Sequence, residues 1–430
     1  EWLKSCADEV MNFLNRDAWK KVPMSQLQRE GRKPIPTKII FKVKHEHDGS
    51  TRYKTRIVTK GFMQIPGVDY TESFSPVAMD SSVRTVIGTS LYFMGHEKEV
   101  TGVTDDTWTI EMFDVEAAFL NAKMENKMYI QIPEVMVLLG YVTEEERNQF
   151  AIELGMSMYG NVDAALLFFK RYKSILLKLG MKQCKADPCV FYRKNNKGIL
   201  RLVLCCHVDD TIIGGFKKDI NNFMNEFEKH LKIEQLGRMK KHLGVWWEWG
   251  KEENGDTFLT ASMPKMVEEI SEAFKRATGR KAKAANTPGF PGQMLKKKPD
   301  ESHPMMLTEY RSLVGKLLYY TTKIGPEMAN AVRDLSSHMS NPGVEHWKAL
   351  ERCVGYLTHL DKEMQGLIFR RPKKIQSISY ADSDYAKCEE TRKSISGMIN
   401  TLGGMLTNWR SGKQDIVSLS SSEAEYIAFC

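Results

Sequence analysis

No stretch of this 430-residue chain approaches the roughly 20 consecutive apolar residues that a helix needs to cross a bilayer, so no membrane span is expected. The first residues, EWLKSCADEV, lack the apolar core of a signal peptide. They begin an amphipathic helix over Glu1 to Leu14 without a methionine, which reads as a cut end. The eight cysteines include no C-x-x-C pair, which argues against a zinc ribbon and leaves no disulfide framework. A reducing, intracellular setting follows as the simplest expectation. Acidic residues are missing from Lys275 to Lys298, where eight Lys or Arg stand, and Arg370-Arg371-Pro372-Lys373-Lys374 forms a second basic run. Such runs are either solvated faces or the footprint of a polyanion partner. What remains is ordinary for a globular protein: 42% hydrophobic, 27% charged, net charge +8. The length predicts two or three subdomains.

The most informative stretch runs from Leu202 to Phe216, LVLCCHVDDTIIGGF. Two short β-prone runs flank a polar step, a hairpin signal with Asp209 and Asp210 at or beside its turn. A solvated turn accounts for one aspartate. Two adjacent carboxylates between core-grade residues repel each other, and each needs water or a cation. A pair held to bind divalent metal is the sharper reading, and it requires a third carboxylate. Trp108 to Val115 alternates as a strand and supplies one in Asp114 near its end; Asp114 also reads as the N-cap of a helix starting at Ala117. Ile39 to Lys44 and Arg52 to Val58 form a second hairpin across Asp48-Gly49. Its alternation sets Arg52, Lys54 and Arg56 on one face, either as plain surface or as a grip for a triphosphate.

These residues carry a resemblance. Asp114-Val115 with Phe119, and Val208-Asp209-Asp210 about 95 residues later, resemble the polymerase motifs of reverse transcriptases. The detailed wording is similar to the Pol polyprotein of copia-type long-terminal-repeat retrotransposons. It includes Tyr53-Lys54-Thr55-Arg56, Lys60-Gly61-Phe62 with Gln64, Gly67-Val68-Asp69-Tyr70, Phe74-Ser75-Pro76-Val77, Ala118-Phe119-Leu120-Asn121, Tyr159-Gly160 and Asp187-Pro188-Cys189-Val190-Phe191. The series runs in the family's order along essentially the whole chain. It departs at His207, where the family usually has Tyr, at Ala122, often Gly, and at Asn161-Val162-Asp163-Ala164, commonly Leu-Lys-Gln-Ala.

The resemblance implies an α+β right-hand polymerase of fingers, palm and thumb, a helical connection and the first part of a ribonuclease H-like α/β fold. Its expected boundaries are 1–240 for fingers and palm, 241–300 for primer grip and thumb, 301–372 for the connection and 373–430 for the ribonuclease H part. It implies RNA-directed DNA polymerase activity with dNTPs, a DNA or RNA primer and an RNA or DNA template, Mg²⁺ (or Mn²⁺) being held by Asp114, Asp209, Asp210 and the Val115 carbonyl. Lys54, Arg56, Phe119, Gly160 and Asp163 fall at the nucleotide site, with Phe119 placed to exclude a 2′-hydroxyl. Asp163 alternatively caps the helix over Ala164 to Leu179. Leu243-Gly244 falls at the primer grip, beside a hairpin turning at Asn254-Gly255. Asp382 and Glu425 match two of four ribonuclease H carboxylates, so hybrid cleavage is not expected from this chain. Further expectations are a longer polyprotein with protease and integrase, and a cytoplasmic virus-like particle or the nucleus. The alternative is a non-catalytic nucleic-acid-binding remnant of a decayed element.

Helices were also expected over Ser81 to Phe93 with a serine cap, Lys217 to Leu231, Met263 to Ala277, Glu309 to Lys323, Pro326 to Met339 and Val344 to Leu360, with Gly95 to Asp106 a loop. In the last part a strand enters Asp382, two strands flank Gly403-Gly404, and Ser420 to Ser422 cap a helix through a capping box with Glu423 or Glu425.

Overall fold

The computed structural model describes every residue except 17, 46–50, 96, 103–105, 291, 293 and 298–305. Helices and mainly antiparallel sheets alternate along the chain, the α+β class expected. The Asp48-Gly49 turn lies outside the described residues. The chain forms two compact units, Glu1–Ala78 with Met112–Thr211 and Lys218–Leu236, and Met79–Glu111 with Ile212–Lys217 and Gly237–Cys430. Residues 79–111 therefore cluster with the carboxy-terminal half.

In the first unit the cationic hairpin pairs Thr37–His45 with Thr51–Thr59, setting Lys42 opposite Lys54 and Ile40 opposite Arg56. Thr55, Ile57 and Thr59 point inward while Lys54 and Arg56 stay half-buried, as strand alternation requires. A three-stranded sheet in the order Trp19–Pro23, Phe150–Leu154, Tyr129–Gln131 lies in the same unit. Its inner residues Ile130, Ile152 and Leu154 join Cys6, Val10 and Phe13 of the Trp2–Leu14 helix in one core with Ile57. A six-stranded sheet runs in the order Ile233–Arg238, Trp108–Val115, Asp210–Phe216, Leu200–His207, Val190–Lys194, Lys182–Gln183. Phe113 packs on Phe227 of the Lys217–Glu228 helix (ring centroids 5.5 Å), and Phe227 on Tyr172 of the Ala164–Lys178 helix (5.4 Å). These buried rings form the rigid backing of the aspartates.

In the second unit the hairpin at Asn254-Gly255 joins Val245–Lys251 to Thr257–Ser262, inside a four-stranded sheet that Gly366–Arg370 completes at one edge. Helices Pro264–Thr278, Leu307–Lys323, Ala329–Ser336 and Val344–His359 stand where periodicity set them, the third opened by a 3₁₀ turn at Pro326–Met328. Two expectations need correction. The helix at Asp80–Phe93 takes Ser81 and Ser82 into its first turn and has no side-chain cap. The polar stretch after Gly95 contains a short helix, Glu97–Thr101. Within this unit Arg84 of the Asp80–Phe93 helix donates to the carbonyls of Thr407 (3.0 Å) and Thr322 (2.6 Å). Its guanidinium also lies 3.9 Å from the Trp409 ring centroid. Those bonds explain why residues 79–111 belong with the carboxy-terminal half.

Candidate active site

The aspartate hairpin is tight: Leu200–His207 ends, Val208 and Asp209 turn, and Asp210–Phe216 returns. Val208 sits at φ 58°, a conformation a β-branched residue strains to adopt. The turn therefore has a fixed shape that a relaxed loop would lack. Its backbone is tied to the neighbouring strand, since the Val115 N–H donates to the Asp209 carbonyl (3.3 Å), and the next N–H, of Glu116, donates to Lys232 (3.0 Å). The strand end carrying Asp114 is thereby held against the turn carrying Asp209 and Asp210. From behind, Tyr172 and Thr211 share a buried hydroxyl hydrogen bond of 2.7 Å.

The electrostatics follow from that meeting. Burial first, then the charges of Asp209, Asp210 and Glu234, push the Asp114 carboxyl up to about 6, with Lys54 pulling the other way. A carboxylate raised by its own kind marks an excess of negative charge that a cation would relieve. Among the described residues no group of three or more His, Cys, Asp or Glu is placed to hold a metal ion. The donor set nevertheless fits Mg²⁺, which takes one or two carboxylates and fills its remaining positions with water and phosphate oxygens.

The Asp114 N-cap reading is corrected: no α-helix follows it. Ala117 turns left-handed at φ 51°, and Ala118–Asn121 is a 3₁₀ turn that leaves Phe119 half-buried against Tyr159 (ring centroids 5.3 Å). Arg56 lies over the other side of this cluster, its guanidinium 4.7 Å from the Tyr159 ring centroid. Its Nε is buried without a hydrogen-bond partner.

Several motif residues prove to be structural supports. Gly160 has φ 91°, and a Cβ there would lie 2.3 Å from the Thr59 carbonyl oxygen; one on Gly61 would lie 2.0 Å from the Gly160 carbonyl oxygen. Thr59 donates its N–H to Tyr159 (2.9 Å), and Gln64 accepts from the Val162 N–H (2.7 Å). So Lys60-Gly61-Phe62 with Gln64 and Tyr159-Gly160 are halves of one packed joint. Asp163 is corrected on both readings: it makes no side-chain cap, and at 3% exposure its carboxyl is sealed from a nucleotide. Its Oδ1 lacks a hydrogen-bond partner, and burial raises its pKa against a hydrogen bond from the Gln64 side chain. Asp187 is likewise structural, accepting from the Cys189 N–H at 2.8 Å.

In the second unit Leu243-Gly244 forms its own two-residue turn, with φ 48° and 82°, between Lys241–His242 and Val245–Lys251. The Tyr319 hydroxyl donates to the Leu243 carbonyl (2.9 Å) and steadies it. Asp382 lies exposed on the strand Ser377–Asp384, which pairs with Ile395–Leu402; that strand pairs in turn with Met405–Lys413, the two flanking Gly403-Gly404 as expected. Ser420 caps the helix Ser421–Phe429 by accepting from Glu423 (3.1 Å), while Glu423 accepts from Leu419, one residue before a capping-box partner. Glu425 of that helix accepts from the Ser383 N–H (3.3 Å), one residue after Asp382 on the strand.

A strand-end aspartate facing an aspartate pair on a strained hairpin is a polymerase-like arrangement. A family model described as reverse transcriptase (RNA-dependent DNA polymerase) matches residues 19–261, and the chain belongs to that family. Among named relatives, the Retrovirus-related Pol polyprotein from transposon TNT 1-94 of Nicotiana tabacum is 29% identical over 433 residues, covering 99% of this chain and 30% of that protein. The corresponding polyprotein from transposon RE1 of Arabidopsis thaliana is 27% identical over 439 residues, covering 99% and 27%. The chain thus spans less than a third of the length of these relatives. A solved foamy viral protease–reverse transcriptase in complex with double-stranded DNA aligns over 94% of this chain and 57% of its own, at TM-score 0.40 and 11% identity.

Proposed function

We propose that this chain is the polymerase segment of a longer retrotransposon Pol polyprotein and extends a primer with dNTPs on an RNA or DNA template. The observation that carries the reading is the meeting of Asp114 with Asp209 and Asp210, with Asp114 pushed up to about 6 by burial and by their charge. Asp114, Asp209 and Asp210, with the Val115 carbonyl, would hold the divalent ions. Two such ions, when bound, stabilise the attacking 3′-oxygen and the leaving pyrophosphate oxygen. The protein's own part is positioning. The strained Val208 turn and the Val115–Asp209 hydrogen bond fix the carboxylates before substrate arrives. Lys54 and Arg56, both half-buried on one strand, meet the triphosphate with their charged ends. Phe119, backed by Tyr159, lies under the sugar and leaves no room for a 2′-hydroxyl. The basic stretch around Lys275–Lys297 offers phosphate contacts to the template–primer.

Primer extension on a homopolymer template, with dNTPs and with or without Mg²⁺ or Mn²⁺, tests the reading. Extension that needs the metal and disappears in Asp209→Asn is expected. Binding of template–primer without extension would instead identify a non-catalytic remnant.

A further inference from the structure

Among the described residues the strand bearing Lys54 and Arg56 belongs to a sheet of two strands, so one of its edges has no strand neighbour there. Outward N–H groups on such an edge need acceptors. Three of them, at alternate residues, find one. Thr55 donates to the Ser5 hydroxyl (2.8 Å), Ile57 to the Glu9 carboxylate (3.3 Å) and Thr59 to the Tyr159 carbonyl (2.9 Å). Ser5 and Glu9 stand four residues apart on the Trp2–Leu14 helix, one turn on one face. A helix rises ~6 Å over that interval and a strand ~6.8 Å over two residues, so the two repeats match closely enough to share both bonds. The same helix face places the Cys6 thiol 3.6 Å from the Thr55 hydroxyl, and Trp2 sets its edge against Tyr53 (ring centroids 4.7 Å) and Phe41 (4.9 Å).

Glu9 is a poor choice if the helix only fills space. The residue is 9% exposed, and burying a carboxylate costs stability unless it is bonded. Burial pushes its pKa up, against the Ile57 N–H bond, the charges of Lys54 and Arg56 and a hydrogen bond with Asn12. We infer that Ser5 and Glu9 are positioning residues for the nucleotide. The Trp2–Leu14 helix acts as a surrogate third strand that fixes the pitch of the strand carrying Lys54 and Arg56, with Ser5 and Glu9 as its acceptors for the Thr55 and Ile57 N–H groups. The helix precedes residues 19–261, the span of the family match, so the family assignment gives it no role. This inference rests on the reading of Lys54 and Arg56 as the triphosphate grip.

The test uses the full chain with Ser5→Ala, Glu9→Gln and Glu9→Leu. Glu9→Gln keeps an acceptor for the Ile57 N–H and its KM for dNTP stays within about twofold, whereas Glu9→Leu raises that KM about tenfold while kcat and template–primer affinity change far less. Ser5→Ala, the mildest change, raises it about threefold. Amide hydrogen exchange at Thr55 and Ile57 speeds up in Ser5→Ala and Glu9→Leu respectively. A purely structural helix would instead lower the melting temperature and the active fraction with KM unchanged, and that result overturns the inference. If the wild type extends no primer, the functional reading fails and two arms still decide. Inorganic tripolyphosphate, titrated calorimetrically, must bind Glu9→Leu several-fold more weakly than Glu9→Gln, and exchange at Ile57 must rise. Equal affinities or unchanged exchange overturn the positioning role on their own. Should Glu9→Leu not fold, Ser5→Ala carries the same two readouts.

Discussion

Replacing Asp114 with asparagine should move stability and activity in opposite directions. The carboxyl is lifted from 3.8 to about 6 by burial and by Asp209, Asp210 and Glu234. At ~1.36 kcal/mol per pKa unit that shift corresponds to ~3 kcal/mol held against the ionised form. The group is half-buried and solvent screens part of this, so ~1–2 kcal/mol is the expected gain on removing the charge. Asparagine keeps the shape and the hydrogen-bonding capacity. In metal-free buffer at pH 7 the first unit of Asp114→Asn should therefore melt roughly 2–8 °C higher, at about 2–4 °C per kcal/mol for a domain of this size. The sign with pH follows. The folded pKa is above the unfolded one, so the folded state binds protons more readily, and wild-type stability falls as pH rises from about 3.8 through about 6. The advantage of the mutant should close as pH drops towards 4. Primer extension should meanwhile be lost, because a metal ligand is gone. Scanning calorimetry with EDTA, alongside extension with Mg²⁺, measures both. A mutant that melts lower at pH 7, or that still extends primers at the wild-type rate, refutes the reasoning.

Three further outcomes are expected. Phe119→Val should lower the preference for a dNTP over its rNTP by ~10-fold or more in kcat/KM, and an unchanged ratio returns Phe119 to a packing role. Tyr172→Phe leaves the buried Thr211 hydroxyl without its 2.7 Å partner and should lower urea-unfolding stability by ~1–3 kcal/mol; a loss under a few tenths contradicts the supporting role given to that bond. In the second unit burial and the stacked His346 depress the His338 pKa below 6.5, against Asp334, Glu390 and the Leu295 carbonyl. The unfolded chain then protonates first, and stability is lost as pH falls below 6.5. His338→Gln should show a smaller drop in melting temperature between pH 7.5 and 5.5 than wild type, and equal drops would remove His338 as a cause.

The parts of this fold written in local pattern were legible. Trp108 to Val115 alternates and forms a strand with those bounds, and Gly403-Gly404 and Asn254-Gly255 turn where turn chemistry puts them. The aspartates were legible because charge between apolar runs is conspicuous. What failed had local preference overruled by tertiary contact. Two alanines after Asp114 favour a helix, yet Ala117 turns left-handed and a 3₁₀ turn forms. Leu243 is a poor turn former, so the tight turn at Leu243-Gly244 carried no signal. Asp163 looked like a surface cap because nothing local shows that its surroundings close over it. Ser5 and Glu9 gave no functional signal, since their partners lie about fifty residues away on an edge that only the folded sheet defines.

The joint between Gly61 and Gly160 has a consequence for how copies of such a sequence age. No side chain fits at either position, whatever the protein is used for, because the neighbour of each is backbone. Purifying pressure there comes from folding alone. Asp114 is the opposite case: its ionised form burdens the fold, and only use can keep it. In a lineage freed from replication but still translated, drift should erase Asp114 early and spare both glycines.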